Sequence, residues 1–195
     1  MSAIIAFDTS GPEIAIGVMA GGKSDIHTEH QPRGQGEVLF ALCERLMAST
    51  GVAWEDLNAI GVGVGPGNFT GIRISVSAAR GLALGLAIPA IGISRFETTA
   101  RLAPGHGAYS VSAMGENVYL AEGSALGAPR LVPATGAEGA AAAGAFGATE
   151  HMRAMLDLTK ARMRAQSPLT SPPKPLYIKP ADAAPPRDAP PSILD

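Results

Sequence analysis

Three places in this sequence hold residue types that could do chemistry. Asp8-Thr9-Ser10 closes a short apolar run, setting a carboxylate and two hydroxyls where a strand gives way to a turn. A carboxylate so placed can position a metal-bound phosphate, or it can accept the N–H groups of Ser10 or Gly11 and shape the turn. The second place is Gly63-Val64-Gly65-Pro66-Gly67-Asn68-Phe69-Thr70-Gly71-Ile72-Arg73. It follows a β-branched run and opens a helix, where free N–H groups can meet an anion. It lacks the Gly-Lys-Ser/Thr ending that brings a lysine to a terminal phosphate, and the glycine spacing of a dinucleotide fingerprint. A tight turn capped by Asn68 or Thr70 and an anion site through Gly65, Pro66 and Gly67 both fit. The third place is Cys43, the one cysteine, which lies in an apolar helical pattern and reads as a small buried hydrophobe.

Other chemistry is poorly provided for. His27 and His30 stand three apart in an extended stretch, so they point to opposite faces and make a poor ligand pair. Asp8 has no identifiable second acid, and no Ser/His/Asp set suggests itself. The formal net charge is −2 and the fifteen Lys and Arg are scattered, which argues against a chain that grips RNA by itself. No stretch approaches the ~20 apolar residues of a membrane span, and the N-terminus lacks the pattern of a secretory leader. A cytoplasmic protein is expected.

The elements that must hold these residues follow from pattern. Ile4–Asp8, Ile14–Met19 and Ser24–His30, separated by turn formers, read as an antiparallel meander. From Glu37 to Thr50 the spacing becomes helical, with Leu39, Leu42, Cys43 and Leu46 on one face and Gly51 at the end. Phe40 and Met47 lie on a neighbouring face, more apolar cover than packing on one sheet requires. Asn58–Val64 is a strand, Thr70–Leu86 a second helix stopped by Pro89, and Ala90–Ile93 a further strand. The second half looks like a degraded repeat. Gly107–Ala113 and Asn117–Glu122 form a hairpin that Leu131-Val132 extends, and Glu150–Arg164 is a helix. Thr135–Gly147, nearly all Gly and Ala, fits a weak helix or a mobile loop. Nine of the sixteen prolines fall between Pro168 and Pro191, so that stretch should be extended or disordered, with Leu176-Tyr177-Ile178 resembling an edge strand.

The Gly-Pro-Gly-Asn-Phe-Thr-Gly-Ile-Arg string closely resembles the Gly-Pro-Gly-Ser-Phe-Thr-Gly-(Leu/Val/Ile)-Arg signature of the TsaB (YeaZ) family. Asp8-Thr9-Ser10, Arg80-Gly81-Leu82-Ala83, Pro89 and Ile91-Gly92-Ile93-Ser94 resemble that family in order and spacing. Glu116-Asn117-Val118-Tyr119 and Pro175-Leu176-Tyr177-Ile178-Lys179 resemble two of its later motifs. The likeness is dense over residues 3–95 and thin afterwards. It implies an α/β ASKHA fold (actin, Hsp70 and sugar-kinase-like) with ribonuclease-H-like lobes, the second reduced. The corresponding units are residues 1–100, a reduced lobe over 101–167 and a Pro-rich tail over 168–195. It also implies a non-catalytic partner of the TsaD-type subunit that makes threonylcarbamoyladenosine on tRNA, with a TsaE-type ATPase completing the assembly. TsaD-like metal binding would want two His at i, i+4 on the first helix, and Arg33-Gly34-Gln35-Gly36-Glu37 has none. The implied protein requires no metal or cofactor, keeps at most weak nucleotide affinity at the two loops, meets tRNA only through the complex, and forms a homodimer when alone. An ATP-dependent phosphotransferase and a glycoprotease-like metallopeptidase are the competing readings.

A partner subunit needs a docking face. Ser77, Gly81 and Gly85 at i, i+4, i+8 would let another helix approach the second helix closely. The same small face could instead meet the chain's own first helix. Glu37 and Glu44 on the first helix repeat at the spacing of Arg73 and Arg80 on the second, so they can pair across a subunit boundary and fix register.

Overall fold

The computed structural model describes residues 3–123, 126–165 and 171–178. Most of the Pro-rich tail, including Lys179, therefore lies outside the described residues. The first lobe is built on β1 (Ala3–Asp8), β2 (Glu13–Ala20), β3 (Lys23–His30), β4 (Leu57–Gly63) and β5 (Ala90–Ile93). Their order is β3-β2-β1-β4-β5: β1 pairs antiparallel with β2 and β2 with β3, while β4 lies parallel to β1 and to β5. The central strands are buried along almost their whole length, the mark of a sheet covered on both faces.

One cover is α1 (Gln35–Thr50) with α2 (Phe69–Leu86). Leu39, Leu42, Cys43, Leu46 and Met47 repeat at three- and four-residue steps and pack with Ile5, Phe7, Ile60 and Val62. The other cover is α4 (Ala148–Arg164), which comes from the second half of the chain. Its Met152, Met155 and Leu156 pack on Ile4, Ala6, Ala15, Met19, Ile91 and Ile93. Gly17 of β2 makes this close: a Cβ there would stand 2.8 Å from Leu156 Cδ1 and 2.9 Å from Met152 Cγ.

Between β5 and the second sheet runs α3 (Arg95–Leu102), a helix absent from the expectation set by periodicity. Its sequence signature is Ser94-x-x-Glu97, a capping box: the Glu97 carboxylate accepts the Ser94 N–H at 2.7 Å while the Glu97 N–H reaches Ser94 Oγ. The second sheet runs β8-β7-β6-β9, from β6 (Ala108–Ser112), β7 (Asn117–Glu122), β8 (Arg130–Pro133) and β9 (Ala141–Ala142). The Gly/Ala stretch is neither a helix nor a plain loop. It forms two 3₁₀ turns around β9, which pairs parallel with β6. Leu176–Ile178 is not a strand either: only Leu176 makes a backbone contact, donating its N–H to Val64 O at 2.8 Å. No helix among the described residues is long and apolar enough to cross a membrane.

Candidate functional site

Parallel β1 and β4 end side by side, so Asp8 and the glycine loop emerge together at the carboxyl edge of the sheet. That edge is where open α/β sheets place ligands. Asp8 is buried there and held from two sides. Its Oδ1 accepts the Ser10 N–H at 2.8 Å, and its Oδ2 accepts from Arg95 Nη2 at 2.9 Å. The two side chains are only 9% and 19% exposed, so this ion pair is little screened by water. The turn-shaping role expected for Asp8 is present, joined by a cation 87 residues away that no local pattern announces.

The two loops are fastened to each other. Thr9 Oγ1 donates to Gly71 O at 2.6 Å, and Ser10 O accepts the Asn68 N–H at 2.7 Å. A Cβ on Gly71 would lie 1.8 Å from Thr9 O, so only glycine permits this crossing. At the start of α2, Asn68 Oδ1 accepts from the N–H groups of Thr70 (2.9 Å) and Gly71 (3.3 Å), and Asn68 O accepts from Ile72 (2.9 Å). The N–H groups of Asn68, Thr70, Gly71 and Ile72 are thus engaged within the chain, with Asn68 rather than Thr70 as the cap.

Arg95 opens α3 and is positioned by its backbone. Its N–H donates to Gly65 O at 2.8 Å, and its carbonyl accepts the hydroxyls of Thr98 and Thr99 at 3.0 and 2.7 Å. Thr98 Oγ1 also lies 2.8 Å from Nδ1 of the buried His151, whose Nε2 is 3.0 Å from Ala143 O. Burial and then the nearby Arg95 charge hold the His151 pKa below its ordinary value, against opposing contributions from Ala143 O, Asp8 and Glu150. A cleft of about 330 Å³ runs between the sheets, lined by Asp8, Ser10, Gly67 and Arg95 on one side and by Ser112, Gly144 and His151 on the other. Among the described residues no group of three or more His, Cys, Asp or Glu is placed to hold a metal.

The expected docking residues divide. Glu37, Glu44, Arg73, Ser77, Arg80, Gly81 and Gly85 are exposed, and Phe40 is 44% exposed. Met47 is not available to a partner: at 2% exposure it belongs to the chain's own core, because it follows Leu39, Cys43 and Leu46 on the inner face of α1. The small face of α2 does not meet α1, since a Cβ added at Gly81 or Gly85 would find no atom within 4 Å. The two helices touch elsewhere, where Gly36 approaches Ile74. Arg73 is already engaged: its Nε donates to the Tyr177 hydroxyl at 2.9 Å, and its guanidinium carbon lies 3.8 Å from the Phe69 ring centre.

Two sheets with interleaved helices, and a cleft at the carboxyl edge of the first, define a two-sheet α/β protein. The family model for TsaD, tRNA N6-adenosine threonylcarbamoyltransferase, matches residues 29–128. The tRNA threonylcarbamoyladenosine biosynthesis protein TsaB of Escherichia coli K12 is 37% identical over 98 residues, covering 50% of this chain and 42% of that protein. The tRNA N6-adenosine threonylcarbamoyltransferase of Jannaschia sp. CCS1 is 37% identical over 92 residues, 43% of this chain and 26% of that one. A crystal structure of a Pseudomonas aeruginosa protein with similarity to the peptidase YEAZ superposes with a TM-score of 0.60 at 28% identity, covering 68% of this chain and 67% of that one. The chain belongs to the TsaD family of proteins, on its TsaB (YeaZ) side. It spans less than half the length of these two sequence relatives.

Proposed function

We propose that this chain is a non-catalytic subunit that binds and stabilises a TsaD-type transferase during threonylcarbamoyladenosine synthesis on tRNA. The complex is cytoplasmic, includes a TsaE-type ATPase, and carries the contact with tRNA. The observation that carries this reading is the outer face of α2. Gly81 and Gly85 open onto empty space there beside Leu84, which is 86% exposed, so the helix presents a smooth apolar face that another helix can approach closely. The cleft supports the non-catalytic part. Asp8 is the one buried acid among the described residues, and Arg95 already neutralises it. No required cofactor is assigned, and weak nucleotide binding at Asp8–Ser10 and Gly65–Gly67 is a matter for an ATP titration.

The deciding experiment mixes the purified chain with the TsaD-type subunit of the same organism on a sizing column, with and without ATP. Co-elution is expected, with a homodimer when the chain runs alone, and Gly81→Leu should abolish the complex while the variant stays folded. Separate elution of the wild-type proteins, or ATP turnover by the chain alone, overturns the reading.

A further inference from the structure

The residues Ser171–Ile178 run beside α2 in the opposite direction. Ser171, Pro172 and Pro173 line a groove of about 560 Å³ whose other wall is Arg80, Gly81, Ala83 and Leu84 near the end of α2. Tyr177 stands at the helix start, bonded to Arg73 and 5.2 Å from the Phe69 ring, centre to centre. The reach suffices: five extended steps from Pro172 to Tyr177 cover up to about 16 Å, and the eight helical steps from Arg73 to Gly81 about 12 Å. The segment is anchored underneath. Pro173 is buried against Gly92, Leu176 bonds to Val64 O and reaches both lobes' cores, and Ile178 packs on the second. Pro172 and half of Tyr177 face outward.

The charge on this composite surface is one-sided. From Phe69 to Leu86 there is no Asp or Glu, whereas Arg73 and Arg80 are both exposed; Lys174 faces away, toward Glu97 and Leu126. Neither arginine forms an ion pair among the described residues. A surface with an apolar groove, open glycines and unpaired cations fits an amphipathic helix that carries carboxylates.

We propose that α2 and Ser171–Ile178 form one docking surface for an acidic amphipathic helix of the TsaD-type subunit. Pro172 forms the groove wall facing Gly81, and Tyr177 holds Arg73 in place for a carboxylate of the partner. This rests on the function proposed above. Arg73 fixed between Phe69 and Tyr177 loses little freedom on binding, which is how an arginine becomes a strong interface contact. Tyr177 is a positioning residue.

The test measures affinity for the TsaD-type subunit of the same organism by calorimetry, at low and high salt. The proteins compared are the wild type, Pro172→Glu, Tyr177→Phe and Gly81→Leu, with Met114→Ala on the distant second lobe as control. Each variant is first checked by thermal melting. Pro172→Glu should weaken binding at least tenfold, and the Gly81→Leu/Pro172→Glu double variant no further than the worse single one. Tyr177→Phe, which keeps the ring and loses the hydroxyl, should weaken binding several-fold and flatten its salt dependence. If Gly81→Leu weakens binding while Pro172→Glu and Tyr177→Phe match the wild type, the helix docks without the segment and the inference falls alone. If the wild type does not bind, the proposed function falls with it. If Pro172→Glu alters only self-association, the occupant is a second copy and the inference is wrong.

Discussion

Asp8 is held by one near contact and one distant one. Its Ser10 contact is local and follows from the turn sequence, but its Arg95 contact depends on where α3 begins. Arg95→Ala should leave a buried carboxylate without its cation and lower stability by about 3 kcal/mol in urea unfolding. Adding Asp8→Asn should recover much of that loss; no recovery would mean the arginine matters through packing. His151 gives a pH-dependent readout of the same region. Its pKa lies below the ordinary value in the folded protein, so between the folded and unfolded values the unfolded chain binds more protons. Stability contributed by the neutral imidazole is therefore complete above about pH 6.5 and declines as pH falls toward the folded value. Unfolding free energies between pH 5 and 8 should slope less in His151→Gln than in the wild type, and equal slopes would refute the assignment. At Cys43, burial and then the charge of Glu44 push the thiol up to about 12. A thiol reagent at pH 8 should leave it unmodified in the native protein and label it promptly in denaturant, whereas native labelling would place it outside the core.

At the scale of elements, Gly81 and Gly71 separate docking from folding. Nothing within 4 Å of Gly81 restrains a side chain, and glycine is about 1 kcal/mol worse than leucine inside a helix. Gly81→Leu should therefore raise the stability of the isolated chain by roughly 0.5–1 kcal/mol in denaturant titrations, even as it blocks the partner. A destabilised monomer would show that the face is already covered. Gly71 looks equally small in the sequence but sits against the Thr9 carbonyl, a distinction that only the crossing of two loops creates. The same division governs what is legible in the sequence. The central strands β1, β2 and β4 and the three longer helices are readable because each carries its own run or repeat of apolar residues, as Leu39, Leu42, Cys43 and Leu46 do in α1. Polar β3 is instead marked by the turn formers around it. The eight-residue α3 has too few turns for a repeat, so only its capping box marks it. In the Gly/Ala stretch, β9 owes its existence to pairing with β6 and has no intrinsic pattern to read. For the candidate site, the glycine loop and Asp8 are visible, while Arg95, His151 and Tyr177 gain their roles from contacts 53 to 104 residues distant.

Across the described residues, the chain order and the packing order differ, because α4 is the last of their helices yet closes the first sheet. Glycines in β2 and β4 are matched to it: Gly17 admits Met152 and Leu156, and a Cβ at Gly61 would lie 2.3 Å from Thr159 Oγ1. Arg162 adds a polar tie, donating to Gly92 O at 2.7 Å and pairing with Glu97 of the capping box. The first lobe is therefore incomplete without residues from beyond the second sheet. Residues 1–103 alone would leave Ile4, Ala6, Met19, Ile91 and Ile93 facing water, an apolar patch that an isolated domain rarely tolerates. This fragment should be recovered aggregated or binding a hydrophobic dye, whereas the same fragment joined through a flexible linker to residues 148–165 should be monodisperse and lose the dye signal. A soluble, cooperatively melting 1–103 fragment would show that the second half is an independent addition. The joined chain also tests what the second sheet is for. If it binds the TsaD-type subunit without β6 to β9, docking belongs to the first lobe and α2 alone. If it binds only when Ser171–Ile178 is added, the partner reads a surface assembled from both ends of the chain.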